Sequence, residues 1–238
     1  MTYFICLLVM LVGSPVVAQS AVKIDQTEVS IAEFAKFVAA TGYITKAEQT
    51  GGMLYETGWG TKPNWNWQQP YGIKSNPQEP AVHITFDEAE DFCKWQGKRL
   101  PTRQEWISYG YTEMRDNPPP PFVSGRTYPY PTGDSSNGAN CLGACGAAKG
   151  NPAGKKEFSD YLNRGYGHAR VGTTKAGVNG LFDMGAKVWE WARSGQGATA
   201  ATMGGSWWYG KAQMKADYGA TKPRDMAAIY IGFRCISD

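Results

Sequence analysis

Histidine is nearly missing from this chain. His83 and His168 are the only two, so no His-rich metal centre can be assembled from it. Excess charge of one sign is also missing: Lys and Arg number 24 against 21 Asp and Glu, and the net +3 is too small and scattered to attract nucleic acid or an anionic membrane. Its longest apolar run, Tyr3 to Val12, is too short to span a bilayer. No internal repeat is visible, and no linker separates two cores. A composition with 19% charged and 13% aromatic residues excludes disorder. Glycine and proline, by contrast, are plentiful at 29 and 14 of 238 residues. That content argues against a helical bundle or a long-stranded barrel and for one core tied together by irregular loops.

The run Tyr3–Val12 is followed by Gly13, Pro15 and the small residues before Gln19, which is the pattern of a secretory signal peptide. Cleavage is expected near Ala18, leaving residues 19–238 as a single domain, periplasmic or secreted, with no membrane span after the signal is removed. Cys6 leaves with the signal. Cys93, Cys141, Cys145 and Cys235 remain, an even number that reads as two disulfides in an oxidising compartment. Three connectivities are open to four cysteines. The simplest pairs Cys141 with Cys145 across a Gly-rich loop and leaves Cys93 for Cys235, while a redox pair at Cys141 and Cys145 is the competing reading.

Three helices are marked by their starts. Ser30–Glu33, Thr85–Glu88 and Thr102–Glu105 each have the spacing of a capping box, with Gly42 and Gly97 closing the first two. Regular periodicity fades after Asp116, through the proline run 117–121 and a Gly/Asn/Ala loop over 132–154. Short strands are expected at 169–171, 187–191, 205–209 and 229–234. Trp59, Trp65, Trp67, Trp207, Trp208 and Tyr209 are aromatic enough to line a ligand groove, though core or rim packing is the expected role for most of them, Trp207 to Tyr209 excepted. His83 reads as a hydrogen-bonded structural residue and His168 as an exposed one in a Gly-rich turn. Arg99 reads as an internal ion-pair partner. Asp87, Glu88, Glu90 and Asp91 sit in the first turns of a helix, where they favour its dipole.

Several motifs in order carry a resemblance over nearly the whole mature length. They are Asp25–Val29, Gly97–Thr102, Gly180–Met184 running into Val188–Trp191, Gly204–Trp207 and Gly232–Cys235. Together they resemble the formylglycine-generating enzyme, or sulfatase-modifying factor, family. The resemblance implies an α+β, C-type-lectin-like fold poor in regular structure, and a Cys93–Cys235 bridge. It also implies copper held by two thiolates, three and eight residues after the serine of Gly-Gly-Ser. Counting from Ser206, those positions are Tyr209 and Met214, so copper is not expected. A second bridge found in some members would need cysteines at about Gly110 and Gly219.

Of the two calcium sites the resemblance implies, one has Lys187 at a ligand position, where an ammonium has no lone pair to offer. Lys187 is expected to supply the positive charge itself and to neutralise Glu190. The other site maps to Asn140 with Asn163, where calcium stays an option. The family's substrate groove passes Trp207, Trp208, Tyr209 and Met214. The resemblance thus implies an exported non-oxidase that binds a peptide, protein or glycan as a maturation or assembly accessory. A second reading is an oxidative enzyme akin to the one of pyoverdine maturation, with Ser206, Tyr209 and His83 as its site. A third keeps formylglycine synthesis, with Cys141 and Cys145 as unorthodox ligands.

Overall fold

The computed structural model describes residues 23–55, 58–142, 145, 167–195 and 197–238. Residues 1–18, expected to form a signal peptide, and Asn163 lie outside them. Helix α1 (Ile31–Thr41), α3 (Phe86–Trp95) and α4 (Arg103–Tyr111) begin at the three capping boxes read from the sequence, with both reciprocal hydrogen bonds in place at each. A fourth box, Thr45 with Glu48, starts the one-turn helix α2 (Lys46–Thr50). Its Thr-x-x-Glu spacing was there to be read. Helix α1 packs Phe34 flat on Phe92 of α3, ring centroids 5.6 Å apart, and Phe233 meets both edge-on. Those rings and the Cys93–Cys235 disulfide make the centre of the main core.

Strands β1 (Gly52–Tyr55) and β2 (Trp59–Lys62) form a hairpin that the sequence reading missed. The principal sheet has the order β5-β4-β3-β6, from β3 (Trp189–Ala192), β4 (Thr199–Met203), β5 (Ala220–Pro223) and β6 (Ile231–Gly232). β3 runs antiparallel to β4 and parallel to β6, with Trp189 opposite Ile231. It is buried on both faces, which is why Trp-Glu-Trp-Ala shows no polar alternation.

Two expected strands are corrected. Residues 169–171 pair with no strand. Segment 205–209 is a turn, because Gly204 (φ +87°) and Gly205 (φ +83°) take the left-handed region and end β4. Gly204 is also fixed by space: a Cβ there would lie 2.5 Å from the Met184 carbonyl oxygen. At Gly219, where the second bridge would need a cysteine, a Cβ would meet the movable end of the Arg103 side chain. Among the described residues no helix is long and apolar enough to cross a membrane.

Candidate functional site: a charged interior beside an aromatic face

Ala186 (φ +62°) and Lys187 (φ +55°) both adopt the left-handed region, a strained choice for residues with a Cβ. Backbone bonds hold them there, Ala186 N donating to Gly204 O and Lys187 N to Asn140 O. The consequence is a fully buried lysine whose Nζ lies 2.7 Å from Glu28 and 2.8 Å from Asp183. The expected partner Glu190 is thereby corrected. Glu190 sits on β3 and belongs to Arg234, whose Nε and Nη2 each donate to it at 2.7 Å, while Trp106 Nε1 donates at 2.8 Å.

Burial pushes the Glu28 carboxyl well above the ordinary carboxylate range, Lys187 pulling against it and Asp183 and Glu190 adding to the rise. Neither Glu28 oxygen has an aligned hydrogen bond among the described residues, although one lies 2.7 Å from the Lys187 ammonium. Burial acts to raise Asp183 as well. There the Lys187 charge and hydrogen bond, the Thr174 hydroxyl and the Gly172 amide outweigh it and hold the carboxyl below its usual value. The cluster sets Glu28, Asp183 and Glu190 against Lys187 and Arg234, and of Glu28 and Asp183 it is Glu28 that the burial favours in its neutral form.

His168 is the second correction, being fully buried rather than exposed. Its Nε2 lies 3.0 Å from Glu79 and its Nδ1 3.2 Å from the Tyr71 hydroxyl, which also accepts from the His168 backbone amide. Sequence distance hid this chain, since Tyr71 and His168 are 97 positions apart. His83 has its ring nitrogens 2.9 Å from Pro70 O and 3.3 Å from Ala227 O. Burial lowers its pKa to about 4, so the neutral ring carries one N–H, and the shorter contact takes it. Neither nitrogen faces solvent, in keeping with the hydrogen-bonded structural residue read from the sequence.

The expected groove is only partly there. Trp207, Trp208, Met214 and Ser206 are all buried, the last with its hydroxyl 3.3 Å from the Trp208 amide. They leave the groove because the segment is a turn packed into the core, whereas a strand would have shown alternate residues outside. Trp65 and Trp67 are core residues too. Tyr209 is half-buried against the core, and the structure adds neighbours that the sequence reading missed.

Trp59 is 48% exposed and stands 5.6 Å from Tyr55 and 6.0 Å from Tyr230, which in turn lies 6.5 Å from Tyr209. Tyr209 and the exposed Tyr218 flank Trp189 at 5.6 and 6.0 Å, with Lys222 Nζ 5.8 Å from the Trp189 ring. The Tyr230 hydroxyl and the Trp189 and Trp207 indole nitrogens are buried with no hydrogen-bond partner among the described residues. Burial, then the nearness of Tyr209 and Tyr55, pushes the Tyr230 phenol up.

Beside this face lies the second disulfide, Cys141–Cys145, joined to it by the bond from Leu142 N to Tyr209 O. Copper on two thiolates does not fit the positions the resemblance implies. A phenol and a buried thioether stand there, and the four described cysteines are all in disulfides. A cation at the Lys187 position does not fit either, because the ammonium already faces both carboxylates. Asn140 Oδ1 accepts a hydrogen bond from the Ala169 amide at 2.7 Å. Among the described residues no group of three His, Cys, Asp or Glu side chains could hold a metal.

This fold, with its long loops, two staples and small sheet, is a mixed α/β architecture of the formylglycine-generating-enzyme type. The solved structure of PvdO from Pseudomonas aeruginosa shares it, at a TM-score of 0.59 over 89% of this chain and 78% of that one, with 17% identity. Residues 15–238 match the family described as the Sulfatase-modifying factor enzyme 1-like domain, and the chain belongs to that family. It is 40% identical to the formylglycine-generating enzyme of Bos taurus over 113 residues, 38% of this chain but only 30% of the bovine protein. It is 27% identical over 90% of its length, and 74% of the other's, to the Mus musculus protein named Inactive C-alpha-formylglycine-generating enzyme 2.

Proposed function

We propose that this chain is an exported member of the family that binds rather than oxidises, holding a peptide, protein or glycan against the aromatic face as a maturation or assembly accessory. One observation carries the reading: where the resemblance implies two copper thiolates stand Tyr209 and the buried Met214, while every described cysteine is paired. The similarity to a mouse relative named inactive, over most of the chain, supports it. Export is supported by the apolar run Tyr3–Val12 and by the two disulfides.

The face suits binding physically. Trp59, Tyr55 and Tyr218 offer exposed rings for stacking. Lys187 replaces a bound cation with its own charge, so the fold needs no calcium there.

The test titrates residues 19–238 with a panel of peptides and oligosaccharides by calorimetry, beside a turnover assay on a Cys-x-Pro-x-Arg peptide with copper and dioxygen. A bound ligand is expected to lose at least about tenfold in affinity on Trp59→Ala or Tyr218→Ala, with the melting temperature unchanged. Formylglycine formation, or full affinity in both variants, overturns the reading.

A further inference from the structure

Lys187, Glu28 and Asp183 bring an amine and two carboxyls into contact, with all three side chains buried. The backbone holds them there. Phe182 N donates to Gln26 O and Val29 N to Phe233 O, which sets the residue before Asp183 and the residue after Glu28 in place. Lys187 is fixed at both ends, its N donating to Asn140 O and its carbonyl accepting from Trp207 N. Nζ then lies 2.7 Å from Glu28 Oε2 and 2.8 Å from Asp183 Oδ2. Glu190, the other carboxylate of the cluster, is taken up by Arg234 and Trp106.

The two carboxyls differ in a way that suits a condensation. Asp183 is anchored by the Thr174 hydroxyl and the Gly172 amide and is held below its usual range, so its carboxylate can accept a proton. Glu28 has no aligned hydrogen bond at either oxygen, and burial favours its neutral form. A neutral carboxyl is the better electrophile, because its hydroxyl can leave as water. Groups held in contact react with effective molarities of about 10⁵–10⁸ M when their orientation is right. The dry surroundings push the same way, since condensation removes a buried ammonium and a buried carboxylate.

We infer that Lys187 and Glu28 are joined after folding by an isopeptide bond, with Asp183 as the base that starts the reaction. Asp183 takes a proton from the ammonium, and Nζ attacks the carbon of the neutral Glu28 carboxyl. Of the three ammonium hydrogens, one stays on the new amide, one leaves with the Glu28 hydroxyl as water, and one ends on Asp183. No electron is transferred and no co-reactant is needed. The ion-paired cluster is the state before reaction, and the titration of Glu28 and Asp183 belongs to chains still unlinked. The bond goes beyond the binding reading and does not rest on it, because all three groups lie inside the fold.

The experiment measures the intact mass of residues 19–238 under reducing, denaturing conditions, after the folded protein has stood for a week at neutral pH. Most chains are expected to lie below the sequence mass by one water, about 18 Da. Tryptic digestion is expected to give a branched peptide joining 24–36 to 176–193. Lys187→Arg keeps a cation but offers no amine, and is expected to stay at its full mass. Asp183→Asn keeps both partners and is expected to slow the linkage at least about 100-fold, a melting transition showing that it is folded. Where that variant does not fold, the branched peptide of the parent decides. A parent at full mass, the same water loss in Lys187→Arg, a loss confined to 176–193, or an undiminished rate in folded Asp183→Asn overturns the proposal.

Discussion

The charged interior and the aromatic face bury polar atoms by opposite means. In the interior, around β3 and β6, buried charges meet their opposites: Arg234 with Glu190 and Lys187 with Asp183. At the face, Tyr230, Trp189 and Trp207 bury polar atoms that nothing among the described residues satisfies. An unpaired buried polar group costs about 1–3 kcal/mol. Glu28 carries that cost in the interior as well, so the contrast is between paired charges in one region and unpaired neutral groups in the other. The two disulfides follow the same division, one locking the core and the other sitting at the edge of the face.

The largest effect is expected from the staples. Cys93–Cys235 spans 142 residues and Cys141–Cys145 only 4. Loop-closure entropy makes the first worth roughly 5 kcal/mol and the second roughly 2. Chemical denaturation of the two double alanine variants is expected to separate them by that margin. Equal losses would show that the short bridge is framework as well, and would erase the division.

Next comes the interior charge. Lys187→Met leaves Asp183 without its ammonium and is expected to cost about 3–5 kcal/mol, as breaking a buried pair does. A loss under about 1 kcal/mol in urea denaturation would mean the interior tolerates an unpaired carboxylate as readily as the face tolerates an unpaired phenol.

The sequence exposes the helix starts because a capping box is a contact between residues three apart, and all of its information is local. It exposes the family because glycine and aromatic motifs have fixed spacing. It hides the Tyr71–His168–Glu79 chain and the Tyr209–Tyr230–Trp59 face, since each joins residues from separate loops that only the folded backbone brings together. The strand expected at 205–209 failed for a different reason. Its aromatic run has strand composition, but Gly204 and Gly205 at positive φ turn the chain, and that turn takes Trp207 and Trp208 inside.

His83 makes the interior sensitive to acid. Its folded pKa of about 4 lies below the unfolded value of 6.5, so between those two the unfolded chain binds the extra proton. Its contribution is complete above pH 6.5 and is lost as the pH falls towards 4, roughly 3 kcal/mol in all. His83→Asn tolerates the left-handed φ of +58° and is expected to remove that slope. The difference in stability between the two proteins, followed from pH 7 to pH 4, reads it directly, and parallel curves would refute the assignment.

The smallest effect is also the finest test of the interior. Glu28 and Asp183 contact the same ammonium, yet burial raises the first carboxyl while Lys187, Thr174 and Gly172 hold the second down. The folded protein therefore keeps a proton on Glu28 that the unfolded chain releases above 4.5, and this contribution weakens as the pH rises towards the folded value. Glu28→Gln imitates the protonated acid at every pH. It is expected to cost less than about 1 kcal/mol near neutrality and to gain on the parent protein in alkali. Asp183 contributes in the opposite sense, fully above its ordinary 3.8 and less as acid protonates it, so Asp183→Asn is expected to cost most at neutral pH and least in acid. If Glu28→Gln instead costs as much as Lys187→Met, then Glu28 is the ionised partner of the lysine, and the interior carries a net negative charge that the rest of the fold must hold.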